Sequence, residues 1–358
     1  MKIAVLVSGG VDSSVSLALL KHAGYDVTAF YLKIWLEDEL SFLGECPWEE
    51  DLLFVKETCA FLDVPLEIIS LQQEYWDAVV SYTVKEAKEG RTPNPDVLCN
   101  QYVKFDAFFK KISLEYEKVA TGHYAQTVTN DDGTVDLLCS PDTVKDQTYF
   151  LSHLSQSQLK RALFPIGKYT KEEVRKLADS FNLPTAKRKD SYGICFLGKI
   201  SFDEFLKHHL DTKTGDLIEF ETGKKLGTHN GFWFYTIGQR KGLGLSGGPW
   251  YVVTKDPTKN IVYISCKYHA PEMERKEFLV ERLHWINKPP TTNALSVKLR
   301  HGPEQNPCSI TINGNNAIVC LQNNDQGIAP GQFAVFYDKE TCLGCGVISL
   351  PTAPTFSS

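Results

Sequence analysis

The first twenty residues combine a strand, a glycine turn and the start of a helix, an arrangement that limits what the chain can fold into. Residues 2–7 (KIAVLV) are apolar and rich in β-branched side chains, which predicts a buried first strand. The glycines of the following Ser8–Ser13 segment let the backbone turn tightly and approach a ligand, and a helix is predicted over 13–20. Because a helix N-terminus presents N–H groups and a positive dipole end, this stretch predicts an anion site, most naturally for phosphate.

The turn differs from the two common phosphate-binding patterns. A Walker-type loop requires G-x-x-x-x-G-K-[ST] and a dinucleotide site requires G-x-G-x-x-G; the segment has neither. It offers hydroxyls, two adjacent glycines and one carboxylate, Asp12, that suits a metal ion, but it has no lysine. The sequence Ser-Gly-Gly-Val-Asp-Ser resembles the PP-loop of the N-type ATP pyrophosphatases. That resemblance implies cleavage of ATP between the α and β phosphates and adenylation of a substrate oxygen.

Composition narrows the class of protein. The chain has 358 residues, 42% of them hydrophobic and 23% charged, which is typical of a globular protein with two or three domains. We expect no membrane segment and no signal peptide, because the apolar runs are short and the chain opens on a strand. The net charge of −6 excludes a surface that is basic throughout, so RNA would have to bind local basic patches.

Ten cysteines without a predicted secretion signal are typical of a reduced, cytoplasmic protein with one or two reactive thiols. Cys342 and Cys345 have C-x-x-C spacing, but a structural zinc site would need a second pair. They lie in a β-like segment rather than at a strand-to-helix turn, which argues against a redox motif. The sequence therefore predicts no protein-held metal.

The first half of the chain alternates strands with helices, which predicts βαβ units and a parallel sheet. Strands are predicted at 26–32, 65–69 and 119–121, helices near 52–62, 75–89 and 103–116, a proline-fixed loop at 91–100, and a hairpin turn at Asp131-Asp132-Gly133. Ligands on such sheets lie at the carboxyl ends of the strands. Ser8–Ser13, Leu32 and Gly122 are therefore expected around one pocket.

A basic segment at 165–190 is predicted to be helical. Near residue 200 the pattern changes from alternating strands and helices to short apolar runs. Acidic residues interleave the basic ones, so a solvated helix face is one interpretation of that segment. Beyond a short helix at 202–209, short apolar runs with Asn230-Gly231 and Asn313-Gly314 predict β-hairpins, and 291–350 reads as a barrel of five or six strands. We predict three domains, at 1–200, 201–275 and 276–358.

Motifs along nearly the whole chain resemble the bacterial-type tRNA-specific 2-thiouridylases, which are PP-loop sulfurtransferases. In order, they are SGGVDSSV, EYWD, GRTPNPDVLCN, KFDAF, ATGHYA, KDQTYFL, KDSYGICF, TIGQRKGLG, PWYVV, LHW, PGQFAVFY and CLG. The resemblance implies a parallel-sheet α/β domain of the adenine nucleotide α-hydrolase type, a small central domain and a C-terminal β-barrel. It implies 2-thiolation of the wobble uridine in tRNAs for Lys, Glu and Gln.

The resemblance also implies roles for individual residues. ATP, accompanied by Mg²⁺, would bind at Leu6, Val7, Ser8, Gly9, Gly10, Val11, Asp12, Ser13, Leu32 and Gly122. The tRNA would meet Asn94, Pro95, Asp96, His123, Lys145, Asp146, Gln147, Arg300, His301 and Gln332. Asp96 would be the general acid or base, Cys195 the persulfide carrier, and Cys99 the nucleophile or resolving thiol. A persulfide relay protein or a cysteine desulfurase would supply the sulfur.

Several positions depart from the family pattern or leave alternatives open. His301 replaces a usual Tyr, Leu32 replaces a usual Met, and Cys345 replaces a usual Gly. Arg240 and Lys241 either hold phosphates or simply belong to a glycine loop. Two other functions remain possible on the sequence. One is another PP-loop adenylating enzyme, such as a tRNA lysidine synthetase or an amidotransferase, which needs no pair of reactive thiols. The other is a non-enzymatic, ATP-dependent RNA-binding module, which would release no pyrophosphate.

Overall fold

A computed structural model describes residues 1–34, 47–189, 202–267 and 275–349. The predicted persulfide carrier Cys195 lies outside these residues, as does Cys46.

The parallel sheet that the sequence predicts for the N-terminal part is confirmed; it has five strands, with the first strand at its centre. The strand order is β3-β2-β1-β4-β7. The strands are β1 (Lys2–Leu6), β2 (Asp26–Lys33), β3 (Leu66–Ser70), β4 (Tyr116–Ala120) and β7 (Ala162–Leu163). After Lys2, β1 is apolar and buried on both faces: Ala4 and Leu6 belong to one apolar cluster, and Ile3 and Val5 belong to another.

Helices connect these strands. They are α1 (Val11–His22), α2 (Pro47–Phe61), α3 (Gln72–Tyr75), α4 (Ser81–Lys88), α5 (Pro95–Leu98), α6 (Phe108–Lys111), α7 (Thr148–Leu151), α8 (Gln156–Leu159) and α9 (Lys171–Ser180). π-helical turns at Trp76–Val80 and Cys99–Ala107 join α3 to α4 and α5 to α6. Within the predicted helical segment 165–190, the described α-helix is α9.

The predicted loop at 91–100 is wrong in its second half. α5 begins at Pro95, and the helical path continues through Cys99–Ala107 into α6. Proline is tolerated at the first helical position, because its missing N–H would have no intrahelical partner there. The helix predicted over 103–116 also ends early, since Tyr116 is the first residue of β4.

The central part contains α10 (Phe202–His209) and a four-stranded sheet in the order β10-β11-β8-β9. Its strands are β8 (Gly215–Glu219), β9 (Lys225–His229), β10 (Tyr251–Asp256) and β11 (Ile261–Ser265). The hairpin turn predicted at Asn230-Gly231 is wrong. The β8–β9 turn lies at 220–224, where Gly223 takes a φ of +70°, and Asn230-Gly231 leads instead into a 3₁₀ turn at Phe232–Phe234.

The C-terminal part is a closed antiparallel barrel of six strands, as predicted. Its strands are β12 (Glu277–Trp285), β13 (Ala294–Lys298), β14 (Asn306–Asn313), β15 (Asn316–Leu321), β16 (Phe333–Asp338) and β17 (Thr341–Ser349). Pairing of β12 with β17 closes the barrel. The predicted Asn313-Gly314 turn joins β14 to β15. Phe278, Val297 and Phe336 are among the side chains of its core.

The barrel sheet continues into the N-terminal part. The hairpin of β5 (Gln126–Thr129) and β6 (Val135–Leu138), predicted from Asp131-Asp132-Gly133, pairs with β17 through Leu137 opposite Cys342. Hydrogen bonds between β6 and β17 therefore attach the barrel to the N-terminal part. Within the ranges described above, no helix combines the length and the apolar character needed to cross a bilayer.

Candidate active site

The Ser8–Ser13 loop connects β1 to α1 and is held by its own hydroxyls. Ser13 Oγ accepts a hydrogen bond from Ser8 N at 3.2 Å and donates one to Gly10 O at 3.1 Å. Gly10 is the residue before the helix, and Gly9 takes a φ of +77° that favours glycine. The first N–H groups of α1 lack intrahelical acceptors and are available to an anion.

Two glycines allow close packing around this loop. A Cβ at Gly122, just beyond β4, would lie 2.8 Å from Ser13 N. A Cβ at Gly9 would lie 2.6 Å from the carbonyl oxygen of Asp51 in α2. The loop therefore has backbone neighbours on two sides, and a narrow cradle of this kind fits the phosphate groups of a nucleotide.

Asp12, in the first turn of α1, is bound by a lysine from a distant helix. Lys171 Nζ lies 2.7 Å from Asp12 Oδ1 and 2.9 Å from Oδ2, and Tyr124 Oη donates to Oδ1 at 2.8 Å. The Lys171 side chain is only 15% exposed. The loop sequence has no lysine, and Lys171 of α9 places a positive charge beside the loop.

Arg188 is the second cation at the loop. Its Nη1 donates to Gly9 O at 2.8 Å, its Nη2 pairs with Asp51, and its guanidinium lies 4.5 Å from the centre of the Phe54 ring. Arg188 thereby ties α2 to the phosphate loop. Burial and the nearby Asp51 carboxylate raise the pKa of Tyr31 well above its usual value, so this phenol stays neutral.

Sequence reasoning missed Lys171 and Arg188, because their basic segment is equally typical of a solvated helix face. It also missed Tyr124, which has no local signal that it contacts Asp12. One signal was available. Thr170 caps α9 with Glu173 in a capping box, which makes Lys171 the first helical residue. A lysine there opposes the helix dipole, so a compensating carboxylate is expected nearby.

The predicted catalytic residues Asp96 and Cys99 lie at the start of the α5 helical path. Residues three apart share one helix face, so the carboxyl and the thiol are on the same side. Cys99 opens the π-helical turn, a distortion that is frequent at functional sites. Its side chain is 1% exposed and belongs to the same apolar cluster as Leu6 and Leu32, at the ends of β1 and β2.

Asn94 and Gln332 connect the segment before α5 to the barrel. Gln332 Nε2 donates to Pro93 O at 2.9 Å and to Thr92 O at 3.2 Å, and its Oε1 accepts from Asn94 Nδ2 at 3.2 Å. Asn94 Nδ2 also lies 3.4 Å from Tyr149 Oη. Both ends of the Gln332 amide are thus engaged within the protein, where they fix the entry to α5.

His123 is buried beside the end of β4. Its Nδ1 is hydrogen-bonded to Thr121 Oγ1 at 2.7 Å, and its ring lies against Phe105 and Phe164. Burial, with a smaller contribution from Lys104, lowers its pKa well below the ordinary value. The ring is therefore neutral at physiological pH and packs the α5 helical path against β4.

The Lys145-Asp146-Gln147 trio has one member in the protein interior. Asp146 is 2% exposed, and its Oδ2 accepts from Lys298 Nζ at 2.8 Å and from Thr148 Oγ1 at 2.8 Å. Gln147 Oε1 accepts from Tyr124 N at 3.0 Å. Asp146 therefore anchors β13 of the barrel, and Gln147 supports the tyrosine that contacts Asp12.

Arg300 and His301 lie just beyond β13. Arg300 forms a two-pronged pair with Asp325, with both N–O distances at 3.0 Å, and more than half of its side chain is exposed. His301 Nε2 donates to Asp146 O at 3.1 Å and its ring stacks on Phe150 at 4.8 Å. Burial lowers the pKa of His301. Arg300 faces solvent at the barrel rim, while His301 packs against Phe150 and Asp146, where the barrel meets the N-terminal part.

The thiols of Cys342 and Cys345 are buried in β17, the barrel strand that pairs with β6. Burial raises the pKa of Cys345 to about 12 and that of Cys342 well above its ordinary value. Both remain protonated and unreactive at physiological pH. Among the described residues, no group of three or more His, Cys, Asp and Glu side chains is arranged to hold a metal ion.

Three family models match successive parts of the chain. The tRNA methyl transferase HUP domain model matches residues 1–199, the tRNA methyl transferase PRC-barrel domain model matches 203–266, and the aminomethyltransferase beta-barrel domain model matches 275–348. Each match covers one of the three parts described above.

Full-length relatives agree with these matches. The chain is 47% identical to the tRNA-specific 2-thiouridylase MnmA of Parabacteroides distasonis, over 97% of this chain and 99% of that protein. It is 44% identical to MnmA 1 of Bacteroides thetaiotaomicron, over 98% of this chain and 100% of that protein. It is 43% identical to MnmA of Porphyromonas gingivalis, over 98% of this chain and 99% of that protein. With the PP-loop, the central sheet and the closed barrel all present in that order, the chain belongs to the tRNA-specific 2-thiouridylase family.

Proposed function

We propose that this protein is a tRNA uridine 2-sulfurtransferase that uses ATP to replace the C2 oxygen of the wobble uridine in tRNAs for Lys, Glu and Gln with sulfur. One observation carries the proposal. The phosphate loop follows β1 directly, and Cys99 belongs to the apolar cluster that also contains Leu6, the last residue of β1. This shared cluster supports an activating site and a sulfur-handling site within the same part of the protein.

ATP is proposed to bind with its pyrophosphate against the N-terminus of α1. The absence of a Cβ at Gly9 and Gly122 lets Asp51 and the start of α1 pack closely against the loop, which supports a compact phosphate-binding turn. Lys171 and Arg188 supply positive charge next to the loop. Leu32 and Leu6, both at strand ends, are proposed to line the adenine site.

Mg²⁺ is proposed to accompany ATP and to neutralise charge on its phosphates. Magnesium in nucleotide sites is usually held by one or two carboxylates and the substrate phosphates. Asp12, in the first turn of α1, is the carboxylate suited to that position. Its present hydrogen bonds to Lys171 and Tyr124 keep it oriented at the loop.

Adenylation explains why an ATP site is needed for thiolation. The C2 oxygen of uridine is a poor leaving group. Its attack on the α-phosphorus expels pyrophosphate and forms a C2–O–P bond, after which the oxygen can leave as part of AMP. Asp96, half-buried in the first turn of α5, is proposed to take up or deliver the proton during these steps.

Sulfur transfer is proposed to use a persulfide on Cys195, loaded by a relay protein or a cysteine desulfurase. In one route the terminal sulfur attacks C2 and AMP leaves. The Cys99 thiolate then attacks the Cys195 sulfur, releasing 2-thiouridine and forming a Cys99–Cys195 disulfide. In the other route Cys99 attacks first and releases hydrosulfide, which attacks C2. Either route consumes two electrons from an external thiol per turnover, which reduces the disulfide.

The target base is proposed to leave the anticodon stack before it reacts, because its C2 atom is not accessible within the stack. Asn94 and Pro95 are proposed to contact it. His123, Lys145, Asp146, Gln147, Arg300, His301 and Gln332 are proposed to bind the surrounding tRNA or to hold the parts that do. The cytoplasm, which supplies ATP, tRNA and persulfide sulfur, is the proposed compartment.

Isotope transfer tests the proposal directly. An anticodon stem-loop carrying ¹⁸O at C2 of the wobble uridine is incubated with the protein, ATP and a persulfide donor. The proposal predicts that the label appears in AMP, with one pyrophosphate released per 2-thiouridine formed. Unlabelled AMP would exclude adenylation of the base oxygen. Absence of pyrophosphate release would favour a non-enzymatic RNA-binding module, and turnover without sulfur would favour a different adenylating enzyme.

A further inference from the structure

The glycine loop between the 3₁₀ turn and β10 borders an open cavity. The cavity has a volume of about 350 Å³ and is lined by Arg240, Gly242, Leu243, Gly244, Leu245, Gly248, Pro249 and Trp250. It belongs to the central sheet rather than to the phosphate-loop site, and the proposed mechanism assigns it no role.

The wall of this cavity is fixed rather than loose. Val252 O accepts from Gly238 N at 2.8 Å, and Val252 N donates to Gln239 O at 3.0 Å. Gln239 Nε2 donates to Lys241 O at 3.0 Å, and Trp250 Nε1 donates to Ser246 O at 3.0 Å. These bonds tie the start of the loop to β10 and fix the indole ring at its end.

The base of the loop is anchored in the interior. Leu243 is 7% exposed and belongs to the apolar cluster of the central sheet. Lys255 Nζ donates to Tyr235 O at 2.7 Å, which holds the residue that leads into the loop. The cavity is therefore a formed feature of the sheet and not a gap between mobile ends.

The lining combines positive charge, glycine backbone and one aromatic ring. Arg240 and Lys241 are exposed, and neither has an ion-pair partner among the described residues. Gly242 and Gly244 take φ values of +82° and +65°, left-handed conformations of the kind found in anion-binding backbone turns. Trp250 is half-buried and offers a π-face. Cations favour phosphate and an indole favours a stacked base.

We propose that this cavity binds a nucleotide unit of the tRNA away from the wobble uridine, with its base against Trp250 and its phosphate at Arg240 and Lys241. The assignment rests on the proposed function, since it takes tRNA as the macromolecule bound. The chain carries a net charge of −6, so two adjacent unpaired cations beside an aromatic cavity provide a local basic site on an acidic protein.

Binding of full-length tRNA to the intact protein, measured by fluorescence anisotropy from 50 to 200 mM salt, tests the proposal. Arg240→Glu/Lys241→Glu is compared with Lys224→Glu/Lys259→Glu, which makes the same charge change at two hairpin turns of the same sheet. The proposal predicts that the first pair weakens binding about tenfold at low salt and reduces the salt slope by about 1–2, as for one or two lost phosphate contacts. The control pair should change the dissociation constant less than about threefold. Equal effects of both pairs would overturn the proposal.

Trp250→Leu tests the stacking contact, with circular dichroism confirming that the variant is folded. We expect about tenfold weaker tRNA binding at unchanged salt slope, and near wild-type binding for Trp250→Phe. If AMP or ATP binds the wild-type protein and Trp250→Leu abolishes that binding while tRNA affinity is unchanged, the ligand is a free nucleotide and the RNA assignment is wrong. A failure of the proposed function would appear instead as absence of thiolation by the wild-type protein.

Discussion

Lys171 Nζ lies 2.7 Å from Asp12 Oδ1, although the two residues are 159 positions apart in the chain. The phosphate loop contains no lysine of its own, and the first residue of α9 provides that charge. The contact also fixes the carboxylate that we propose lies next to Mg²⁺-ATP. Lys171 therefore connects α9, the helix after β7, to the loop where we propose that ATP binds.

Replacing Lys171 with alanine should raise the KM for ATP about tenfold to a hundredfold, since a charge-assisted hydrogen bond contributes about 1.5–3 kcal/mol. The measurement is pyrophosphate release at varied ATP. Lys168→Ala is the matched control, because Lys168 is exposed and precedes the helix. Binding of tRNA without ATP should be unchanged in both variants. An unchanged KM for ATP in Lys171→Ala would remove Lys171 from the site.

Lys298→Met should destabilise the protein by about 3–5 kcal/mol, the usual cost of leaving one buried charge of a pair unpartnered. Lys298 and Asp146 are 3% and 2% exposed, and they join the barrel to the nucleotide-binding part. Urea denaturation followed by tryptophan fluorescence measures the change. The control is Glu172→Gln, which removes the exposed pair with Lys176 and should cost less than about 1 kcal/mol. Equal losses in the two variants would mean that the buried pair does not stabilise this joint.

Stability should fall as the pH drops from about 6.5 to about 4, and His153 should account for part of that fall. Burial, with nearby His284 and Arg282, lowers the pKa of His153 to about 4. The unfolded chain binds a proton on this residue near its ordinary pKa of about 6.5, so below that pH protonation favours unfolding. The effect should be absent above about pH 7 and complete below about pH 4.

His153→Phe keeps an aromatic ring against His284, with which His153 now stacks at 4.6 Å, but removes the titrating group. The free energy of unfolding of this variant should depend less steeply on pH between about 4 and 6.5. Urea titrations at several pH values provide the comparison. A slope identical to that of the wild-type protein would show that His153 does not cause the acid sensitivity.

The sequence was sufficient for those features that depend on local patterns. The β1 strand, the Gly9-Gly10 turn and the start of α1 follow from a short apolar run, two glycines and a helical period. The hairpin at Asp131-Asp132-Gly133 and the barrel predicted over 291–350 follow in the same way from turn residues and short apolar runs, although the barrel also includes β12 at Glu277–Trp285.

Features that depend on contacts between distant segments were not predictable from one sequence. The sequence predicts Pro95 as a loop residue, whereas the structure begins α5 there, because whether a proline ends a loop or begins a helix depends on what the next turn packs against. Lys171 and Arg188 lie in a segment whose mixed charges are typical of a solvated face, and their contacts with Asp12 and Gly9 appear only in the fold. Nothing in the sequence next to Gln332 or Asp146 indicates that these residues join the barrel to the N-terminal part.

The central claim is tested most directly by nucleoside mass spectrometry of tRNA incubated with the purified protein, ATP and a persulfide donor. The wild-type protein should form 2-thiouridine at the wobble position only when ATP is present, and Cys195→Ala and Cys99→Ser should each form none while binding tRNA normally. Cys308→Ser is the control, since that buried thiol lies in the barrel core and should be dispensable for thiolation. Normal 2-thiouridine from either cysteine variant, or none from the wild-type protein, would contradict the account.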